Sequence, residues 1–350
     1  MNKIKIHRLS IMLFTVLAIA CNNDDEKPRG QYEHGVFIVN EGGFNSTGSV
    51  TFFDRTSAEV EQSILKLNPT NFAGTFAQSL AFKDEKGYLV LSGDNKIAVV
   101  DANTFESLGT IADAAIVAPR YVEVINNKAY ISVAGPYDEN FSLVNSYVLV
   151  YDLDAGTVVK KIDTDEGTEN LLFNGNYLFA SNYNFGASNT LAVINPADNS
   201  LVKQIVLSGG PSGMVTDANG KLWVICSDFI SGKLYRINPS TLTIEATITL
   251  SSAPEIDLAI TPDKQNIIYA IGKSIYKLPI TSATATAQPL FVASDVTAFY
   301  TFNVDPDNGD IWIGDALDYS SPGKAYIYNA AGSAKSSVPA GISVGQFVFK

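Results

Sequence analysis

A repeating succession of strands and turns constrains the fold of this 350-residue chain more than any other feature of its sequence. Each unit has an apolar strand, a polar turn, an alternating strand, a loop, a strand ending in Asp or Asn, a tight turn and a final alternating strand. The apolar anchors of the first strands are Leu80, Val122, Leu171, Met214, Leu258, Phe302 and Phe347. Their spacing of 42–49 residues matches a four-stranded propeller blade, which takes about 40–50. The repeat predicts an all-β fold, a seven-bladed β-propeller.

The two ends of the repeat array complement each other. Residues Val36 to Val39 match a second strand, whereas Gly345 to Phe349 match a first strand with no unit after it. We therefore expect the C-terminal strand to close the first blade as its innermost strand, with residues 346–349 beside 36–39. Such pairing removes the open edge that a ring of sheets would otherwise expose.

Short polar residues end the third strand of several units and open the tight turn that follows. Their side chains can accept hydrogen bonds from backbone N–H groups two residues further on, which is a structural role. We assign that role to Asp54, Asp101, Asp152, Asn195 and Asn238.

The first twenty residues have the organisation of a lipoprotein signal peptide. Basic residues precede an apolar run from Leu9 to Ile19, which is shorter than the roughly 20 residues of a bilayer-spanning helix. The sequence Leu-Ala-Ile-Ala before Cys21 resembles a bacterial lipobox. This resemblance implies cleavage before Cys21 and lipidation of its sulfur. Cleavage by ordinary signal peptidase is the alternative.

Residues 21–34 comprise Cys21 and a polar segment that we interpret as a flexible tether to the propeller at 35–350. The acidic stretch Asp24-Asp25-Glu26 resembles the signal by which some Gram-negative bacteria display lipoproteins on the outer face of the outer membrane. We therefore expect a lipid-anchored protein of the outer membrane, exposed at the cell surface. A plain soluble spacer is the alternative.

Charge and cysteine content restrict the partners. The chain has 24 basic and 36 acidic side chains, and without Lys3, Lys5 and Arg8 of the signal peptide the formal charge falls from −12 to −15. Such a surface repels nucleic acids and anionic membranes, so we expect no nucleic acid partner and membrane contact only through the lipid. Because one of the two cysteines is the lipid site, no disulfide or cysteine metal site is expected. The other, Cys226, is predicted to be a small buried hydrophobe.

The loops on the two faces of such a propeller differ in chemistry. Loops that join first to second strands are short and polar, whereas those that join second to third strands, or successive blades, are long and aromatic. Exposed aromatic rings lower the solubility of a protein unless they bind a partner or pack together. Aromatic rings beside amide side chains offer stacking surfaces and hydrogen bonds, which suit ligand recognition. The predicted ligand-binding residues are Phe44, Tyr137, Phe141, Tyr183, Phe185, Phe229 and Tyr319. The alternative is that some rings plug the channel or cover the loops.

Two resemblances follow from these motifs. The repeat resembles the YVTN-type propeller family over about residues 35–350, most closely at Ile97 to Asp101. The opening segment Phe37 to Phe44 is similar to a group of surface propeller lipoproteins, some of which capture vitamin B12 beside a TonB-dependent transporter. This second resemblance implies a corrinoid ligand and a TonB-dependent outer-membrane transporter as partner.

Catalytic groups are sparse. His34 is the single histidine after the signal peptide, which argues against a histidine-based nucleophile or metal site. Glu41, Asn182, Asp228 and Asp315 are expected near the channel mouth, where oxygen ligands would suit Ca²⁺. Lactonase-like propellers use a similar set, although they usually have six blades. Ordinary loop polarity is the alternative, and we assign no catalytic residue, metal or cofactor.

The leading hypothesis is a non-enzymatic, surface-tethered binding lipoprotein that captures a small or medium ligand on its aromatic loops. A protein-interaction scaffold that docks an outer-membrane partner is the alternative. A Ca²⁺-dependent, lactonase-like hydrolase is a third hypothesis.

Overall fold

A computed structural model describes residues 30–43, 46–66, 73–140 and 142–350. The signal peptide, Cys21 and most of the tether lie outside these ranges, so the expectations for them stay predictions. Two single-turn 3₁₀ helices, Ser92–Asp94 and Asn184–Gly186, accompany the strands. Within the described ranges no helix has the length and apolarity needed to cross a membrane.

Strands make up nearly all of the regular structure in the described ranges. In chain order they are β1 (Gly35–Asn40), β2 (Ser49–Asp54), β3 (Val60–Glu61), β4 (Ala77–Lys83), β5 (Lys86–Leu91), β6 (Lys96–Asp101), β7 (Ser107–Ile111), β8 (Pro119–Ile125), β9 (Lys128–Val133), β10 (Tyr147–Asp152), β11 (Thr157–Asp163), β12 (Thr168–Asn174), β13 (Tyr177–Asn182), β14 (Thr190–Asn195), β15 (Ser200–Val206), β16 (Gly210–Thr216), β17 (Leu222–Ser227), β18 (Gly232–Asn238), β19 (Thr243–Thr249), β20 (Leu258–Ile260), β21 (Asn266–Ile271), β22 (Ser274–Pro279), β23 (Phe291–Val292), β24 (Phe299–Val304), β25 (Ile311–Asp315), β26 (Lys324–Tyr328), β27 (Ala334–Pro339) and β28 (Val344–Phe349).

These strands form seven antiparallel sheets of four strands, arranged as the blades of a ring. Blade one has the order β28-β1-β2-β3, and each later blade uses four consecutive strands, from β4–β7 in blade two to β24–β27 in blade seven. The innermost strands β28, β4, β8, β12, β16, β20 and β24 contact one another in turn and enclose a central channel. The predicted seven-bladed β-propeller is confirmed.

The closure of the ring has the predicted register. In blade one Val36 pairs with Phe349, and Val39 pairs with Gln346. Phe347 is only 1% exposed, and its ring centroid lies 5.7 Å from that of Trp312 in blade seven. The C-terminal strand is therefore part of the apolar core between the first and last blades.

Burial between blades explains the apolar runs of the repeat. All seven anchor residues are 8% exposed or less. Every residue of β17 is buried, whereas β19, at the outer edge of the same blade, is mostly exposed. A strand covered on both faces needs a continuous apolar sequence rather than an alternating one. Cys226 lies in β17 without exposure, as expected, and burial raises the pKa of its thiol.

The strand-ending polar residues have the predicted structural role. Asp54 Oδ1 accepts hydrogen bonds from the backbone N–H groups of Thr56 and Ser57 at 2.7 and 2.8 Å. The same pair of bonds recurs at Asp101, Asp152 and Asn238, and Asn195 accepts one such bond, from the N–H of Ala197. These side chains close the turns by local bonds.

The chain enters the propeller on the side of these short turns. The N–H of Tyr32 donates to the carbonyl of Asn103, in the β6–β7 turn, at 2.8 Å. The ring of Tyr32 packs edge-on against Phe52 with centroids 5.0 Å apart. Lys350 Nζ donates to the carbonyl of Ala102 at 2.6 Å, so both ends of the described chain are held at one face.

Candidate ligand-binding face and channel mouth

The propeller has two faces with different loops. We call the face formed by loops between second and third strands, and between successive blades, the aromatic face. The other, which includes the turns described above, is the short-turn face. The described loops of the aromatic face are 41–43, 46–48, 62–66, 73–76, 92–95, 112–118, 134–140, 142–146, 164–167, 183–189, 207–209, 228–231, 250–257, 272–273, 293–298, 316–323 and 340–343.

Five of the seven predicted ligand-binding residues are described, and all five lie on the aromatic face. Tyr137, Phe185, Phe229 and Tyr319 are 52%, 53%, 66% and 51% exposed, and Tyr183 is partly buried. The other two, Phe44 and Phe141, lie outside the described residues. The placement of the five agrees with the predicted binding face, whereas their role in binding stays a prediction.

Three of these exposed rings stand on left-handed backbone. Phe185, Phe229 and Tyr319 have φ angles of 49°, 68° and 61°. For a bulky side chain this region is disfavoured, by about 1–2 kcal/mol per residue. Phe105 has a similar φ of 58° but is only 2% exposed, so burial of its ring offsets the strain. The other three rings are at least half exposed and gain less from burial, and backbone strain with little compensation often marks a functional position.

The rings form two groups rather than one continuous surface. In blades four and five Phe229 lies against Gly186, where an added Cβ would be 3.1 Å from ring atom Cε2. Tyr183 packs on Gly210 in the same way, at 2.9 Å from Cδ2. Tyr319 of blade seven instead makes an edge contact with Tyr300, with centroids 5.7 Å apart.

Between these groups a hydrogen-bonded network crosses the channel mouth. Arg120 Nε donates to Glu169 Oε2 at 2.8 Å, and Arg120 Nη1 donates to Gln78 Oε1. Gln78 Nε2 donates to Glu41 Oε1 at 3.3 Å, and the hydroxyl of Tyr300 donates to Glu41 Oε2 at 2.7 Å. The network therefore links blades one, two, three, four and seven at the aromatic end of the innermost strands.

Burial shifts the protonation of this network. Burial raises the pKa of the Glu41 carboxyl, although the hydrogen bond from Tyr300 acts in the opposite direction. Burial alone would lower the pKa of Arg120, but the ion pair with Glu169 outweighs it and the net shift is upward. The guanidinium thus stays charged, whereas burial disfavours the charged form of Glu41.

A second carboxyl of the mouth, Asp257, lies in blade six. It accepts hydrogen bonds from Thr301 Oγ1 at 2.9 Å and from the N–H of Phe302 at 3.1 Å. Burial raises its pKa to about 6, and the nearby charges of Glu255 and Glu41 act in the same direction. Burial also raises the pKa of Tyr121, which lies within electrostatic range of Asp257 and Glu169.

Sequence reasoning missed this network although the repeat carries a signal for it. Gln78, Arg120, Glu169 and Tyr300 each lie two residues before a buried anchor, and Tyr121 and Asp257 lie one residue before. Those positions begin the innermost strands, so polar residues there face the channel mouth. Only Glu41 was expected near the mouth, and Gly345 makes room for it, because an added Cβ would lie 2.8 Å from Glu41 Oε1.

The other three polar residues expected at the mouth already have hydrogen-bond partners in loops or strands of their own blades. Asn182 is fully buried and donates to Thr168 Oγ1 at 3.0 Å. Asp315, also fully buried, accepts from the N–H groups of residues 297 and 298 at 2.8 Å each. Asp228 caps its own turn, and the N–H of Ser231 lowers its pKa. These bonds fit ordinary loop polarity rather than a shared Ca²⁺ site, and no group of three or more His, Cys, Asp or Glu suited to a metal occurs in the described ranges.

A polar groove of about 470 Å³ lies beside the aromatic rings of blade four. Three loops of the aromatic face line it, with Asn145, Asp165, Glu166 and Asn189 among the wall residues. Its volume falls within the roughly 300–1,000 Å³ of small-molecule sites.

Residues 34–337 match the family described as a domain of unknown function, DUF5074. Because the match spans most of the chain, the protein belongs to this family. No curated protein sequence matches the chain.

Solved propeller structures are similar in fold at very low sequence identity. A quinonprotein alcohol dehydrogenase-like protein from Bacteroides thetaiotaomicron has a TM-score of 0.68 and 13% identity, covering 91% of this chain and 78% of its own. The periplasmic gluconolactonase of Pseudomonas aeruginosa has a TM-score of 0.66 and 11% identity, covering 90% and 98%. Hydrazine synthase of Kuenenia stuttgartiensis has a TM-score of 0.59 and 14% identity, covering 78% and 91%. At such identities the similarity shows the fold alone.

Proposed function

We propose that this protein is a non-enzymatic binding protein that captures a small or medium-sized ligand on its aromatic face. The observation that carries the proposal is the set of exposed rings, Phe185, Phe229 and Tyr319, held on left-handed backbone on the face that also carries the polar channel mouth. The rings stack on apolar parts of the ligand, while side chains of the mouth fix its orientation.

The energetics of ring burial support binding here. An aromatic side chain buries about 150–250 Å², so covering the exposed half of one ring contributes roughly 2 kcal/mol at about 25 cal/mol per Å². Three rings contribute on the order of 6 kcal/mol before the entropic cost of association. Few side chains need to be ordered, because these loops already have defined conformations.

The entry point of the chain supports display of this face. Tyr32 and Gly35 lie at the short-turn face, where β1 begins. A tether at residues 21–34, lipidated on Cys21, would therefore attach opposite the aromatic face. In an outer-membrane lipoprotein with this geometry, the aromatic face is directed away from the anchor and is accessible to external ligand.

The ligand we propose first is a corrinoid, delivered to a TonB-dependent outer-membrane transporter. Support comes from the resemblance of residues 37–44 to B12-capturing propeller lipoproteins. A corrinoid also combines apolar surface with peripheral amides, which suits rings beside Asn, Gln and carboxylate groups.

Calorimetric titration of the purified full-length protein with a corrinoid panel tests this function. We expect dissociation constants below millimolar, and at least about tenfold weaker binding by the Phe185→Ala/Phe229→Ala double variant, equal to about 1.4 kcal/mol. Leu108→Ala, which removes an equally exposed apolar side chain on outer strand β7, is the matched control. Absence of binding below millimolar removes the corrinoid, and unchanged affinity of the double variant removes the aromatic face.

The alternative is a scaffold that docks an outer-membrane protein with the same face. Ile230, beside Phe229, is 84% exposed, which favours a larger apolar partner surface than a small ligand needs. Pull-down from detergent-solubilised outer membranes tests it, with Ile230→Asp as the variant and Val206→Asp, on outer strand β15, as control. The scaffold is favoured if a stoichiometric partner is captured by the wild type and by Val206→Asp but not by Ile230→Asp, and if the protein does not bind corrinoids.

A further inference from the structure

The channel mouth carries more negative than positive charge. Glu41, Glu169, Glu255 and Asp257 approach it from blades one, four and six. In the described first three residues of the innermost strands, Arg120 is the one basic side chain. Its guanidinium is held by Glu169 and Gln78 and its charge also acts on Glu41, so one cation stands against four carboxyl groups.

Tyrosine side chains surround the same carboxylates. Tyr300 donates to Glu41 and contacts Tyr319. The negative charges of Glu169 and Glu255 act on Tyr183, and those of Glu169 and Asp257 act on Tyr121. In the described chain the hydroxyl of Tyr121 makes no hydrogen bond, yet it is not among the buried unsatisfied groups, so it is reachable from the channel.

We propose that the channel mouth is the part of the ligand site that selects a positively charged alkylammonium group. The inference deepens the proposed function and rests on it. The rings of the aromatic face bind apolar parts of the ligand, and the mouth takes the cation.

The physical basis is the combination of π faces with fixed carboxylates. A cation over a tyrosine ring gains about 0.5–1 kcal/mol when exposed and about 2 kcal/mol when desolvated, and aromatic cages bind alkylammonium groups in this way. Carboxylates held by Arg120, Gln78 and Tyr300 need little reorganisation when the cation arrives. An anionic ligand group would instead meet like charges, because Arg120 is already paired.

A matched pair of probes tests the inference. Benzylamine, protonated at neutral pH, and benzyl alcohol have similar shape but differ in charge. In NMR titrations of the full-length protein we expect benzylamine to bind at least about tenfold more tightly. Equal affinities overturn the inference, as does no detectable binding of benzylamine.

Two variants locate the charge selection. Glu169→Gln should reduce the preference for benzylamine at least about threefold, whereas Asp228→Asn, which removes a carboxylate from the same face but from a self-contained turn, should leave it unchanged. Asp257→Asn provides a second mouth variant that can keep the hydrogen bonds from Thr301 and Phe302. Unchanged preference in both mouth variants, or equal loss in Asp228→Asn, contradicts the assignment.

The pH dependence gives an independent readout. As the pH falls from about 8 to 5 the preference should decrease, because Asp257, whose pKa is about 6, takes up a proton while benzylamine stays charged. Arg120 stays charged over this range, and Tyr121 and Tyr300 stay neutral. A preference that is constant over this range contradicts the inference. If corrinoid binding is lost when Phe185 and Phe229 are changed, but benzylamine is not preferred over benzyl alcohol, the binding function stands and cation selection does not.

Discussion

The short-turn face and the aromatic face use the same scaffold in opposite ways. On the short-turn face, Asp54 and Asp101 satisfy nearby backbone N–H groups and the turns are closed by their own residues. On the aromatic face, Phe185 and Phe229 stand exposed on left-handed backbone, and Asp257 is partly buried with a pKa raised to about 6. Left-handed residues occur on the short-turn face too, but its ring at Phe105 is buried, whereas the aromatic face combines left-handed backbone with exposed rings and with carboxyls whose pKa is raised.

Under the proposed binding function, this difference separates residues kept for the fold from residues kept for a site. Residues that serve stability should lower the free energy of unfolding when they are changed, and residues kept for a site should raise it or leave it unaltered. The two faces can therefore be separated by stability measurements without knowledge of the ligand.

The largest effect is expected at the closure of the ring, which both faces share. Phe347→Ala removes a ring that is 1% exposed and packs on Trp312, and should lower the free energy of unfolding by about 3–5 kcal/mol. Urea denaturation measures it, with Leu108→Ala, at 54% exposure, expected to stay within about 0.5 kcal/mol. A loss at Phe347 no larger than that at Leu108 would contradict the C-terminal closure.

Asp257→Asn at the channel mouth is expected to raise the free energy of unfolding rather than lower it. Burial raises the folded-state pKa from 3.8 to about 6, so the wild type loses stability as the pH rises through this window. Because the pKa of Asp257 is shifted by about two pKa units, the stability lost over this window is up to roughly 3 kcal/mol. The Asn variant should be more stable than the wild type by up to this amount at pH 8, with no difference below pH 4. Denaturation at both pH values checks this, and a destabilised variant at pH 8 would make Asp257 a structural residue.

The smallest effects form a matched pair on the two faces. Phe229→Asn should raise the free energy of unfolding by about 0.5–1 kcal/mol, because Asn tolerates left-handed backbone and a phenylalanine ring does not. Asp101→Ala should lower it by about 1 kcal/mol, because it leaves the N–H groups of Asn103 and Thr104 without their acceptor. Thermal unfolding measures both. A destabilised Phe229→Asn would show that this ring covers its loop for stability, which is the alternative to binding.

Most of the fold could be predicted because its determinants are local and repeated. The anchors Leu80 to Phe347 recur at blade spacing. The first unit of the repeat begins with a second strand and lacks a first strand of its own, which predicted the pairing of Val36 with Phe349. The face that carries Tyr183 and Phe229 followed from counting strands, since successive loops emerge on alternate sides.

The site was predicted less completely because its members meet through space. Arg120 and Glu169 are 49 residues apart and contact only because neighbouring innermost strands are adjacent. In the sequence Asn182 and Asp315 looked equally available for binding a ligand, but their side chains are already hydrogen-bonded to nearby hydroxyl or N–H groups. Local partners act at short range, and the sequence pattern does not reveal which polar residues already have one.

The sequence by itself determined the number of blades, the closure and the inequality of the two faces, because strand alternation and blade length are periodic properties of the chain. Only the tertiary structure decided that Glu41, Gln78, Arg120, Glu169 and Tyr300 form one network. The reason is that closing the ring brings the starts of all the innermost strands to one end of the channel. Burial there changes the protonation of carboxyls that would otherwise be ordinary surface acids.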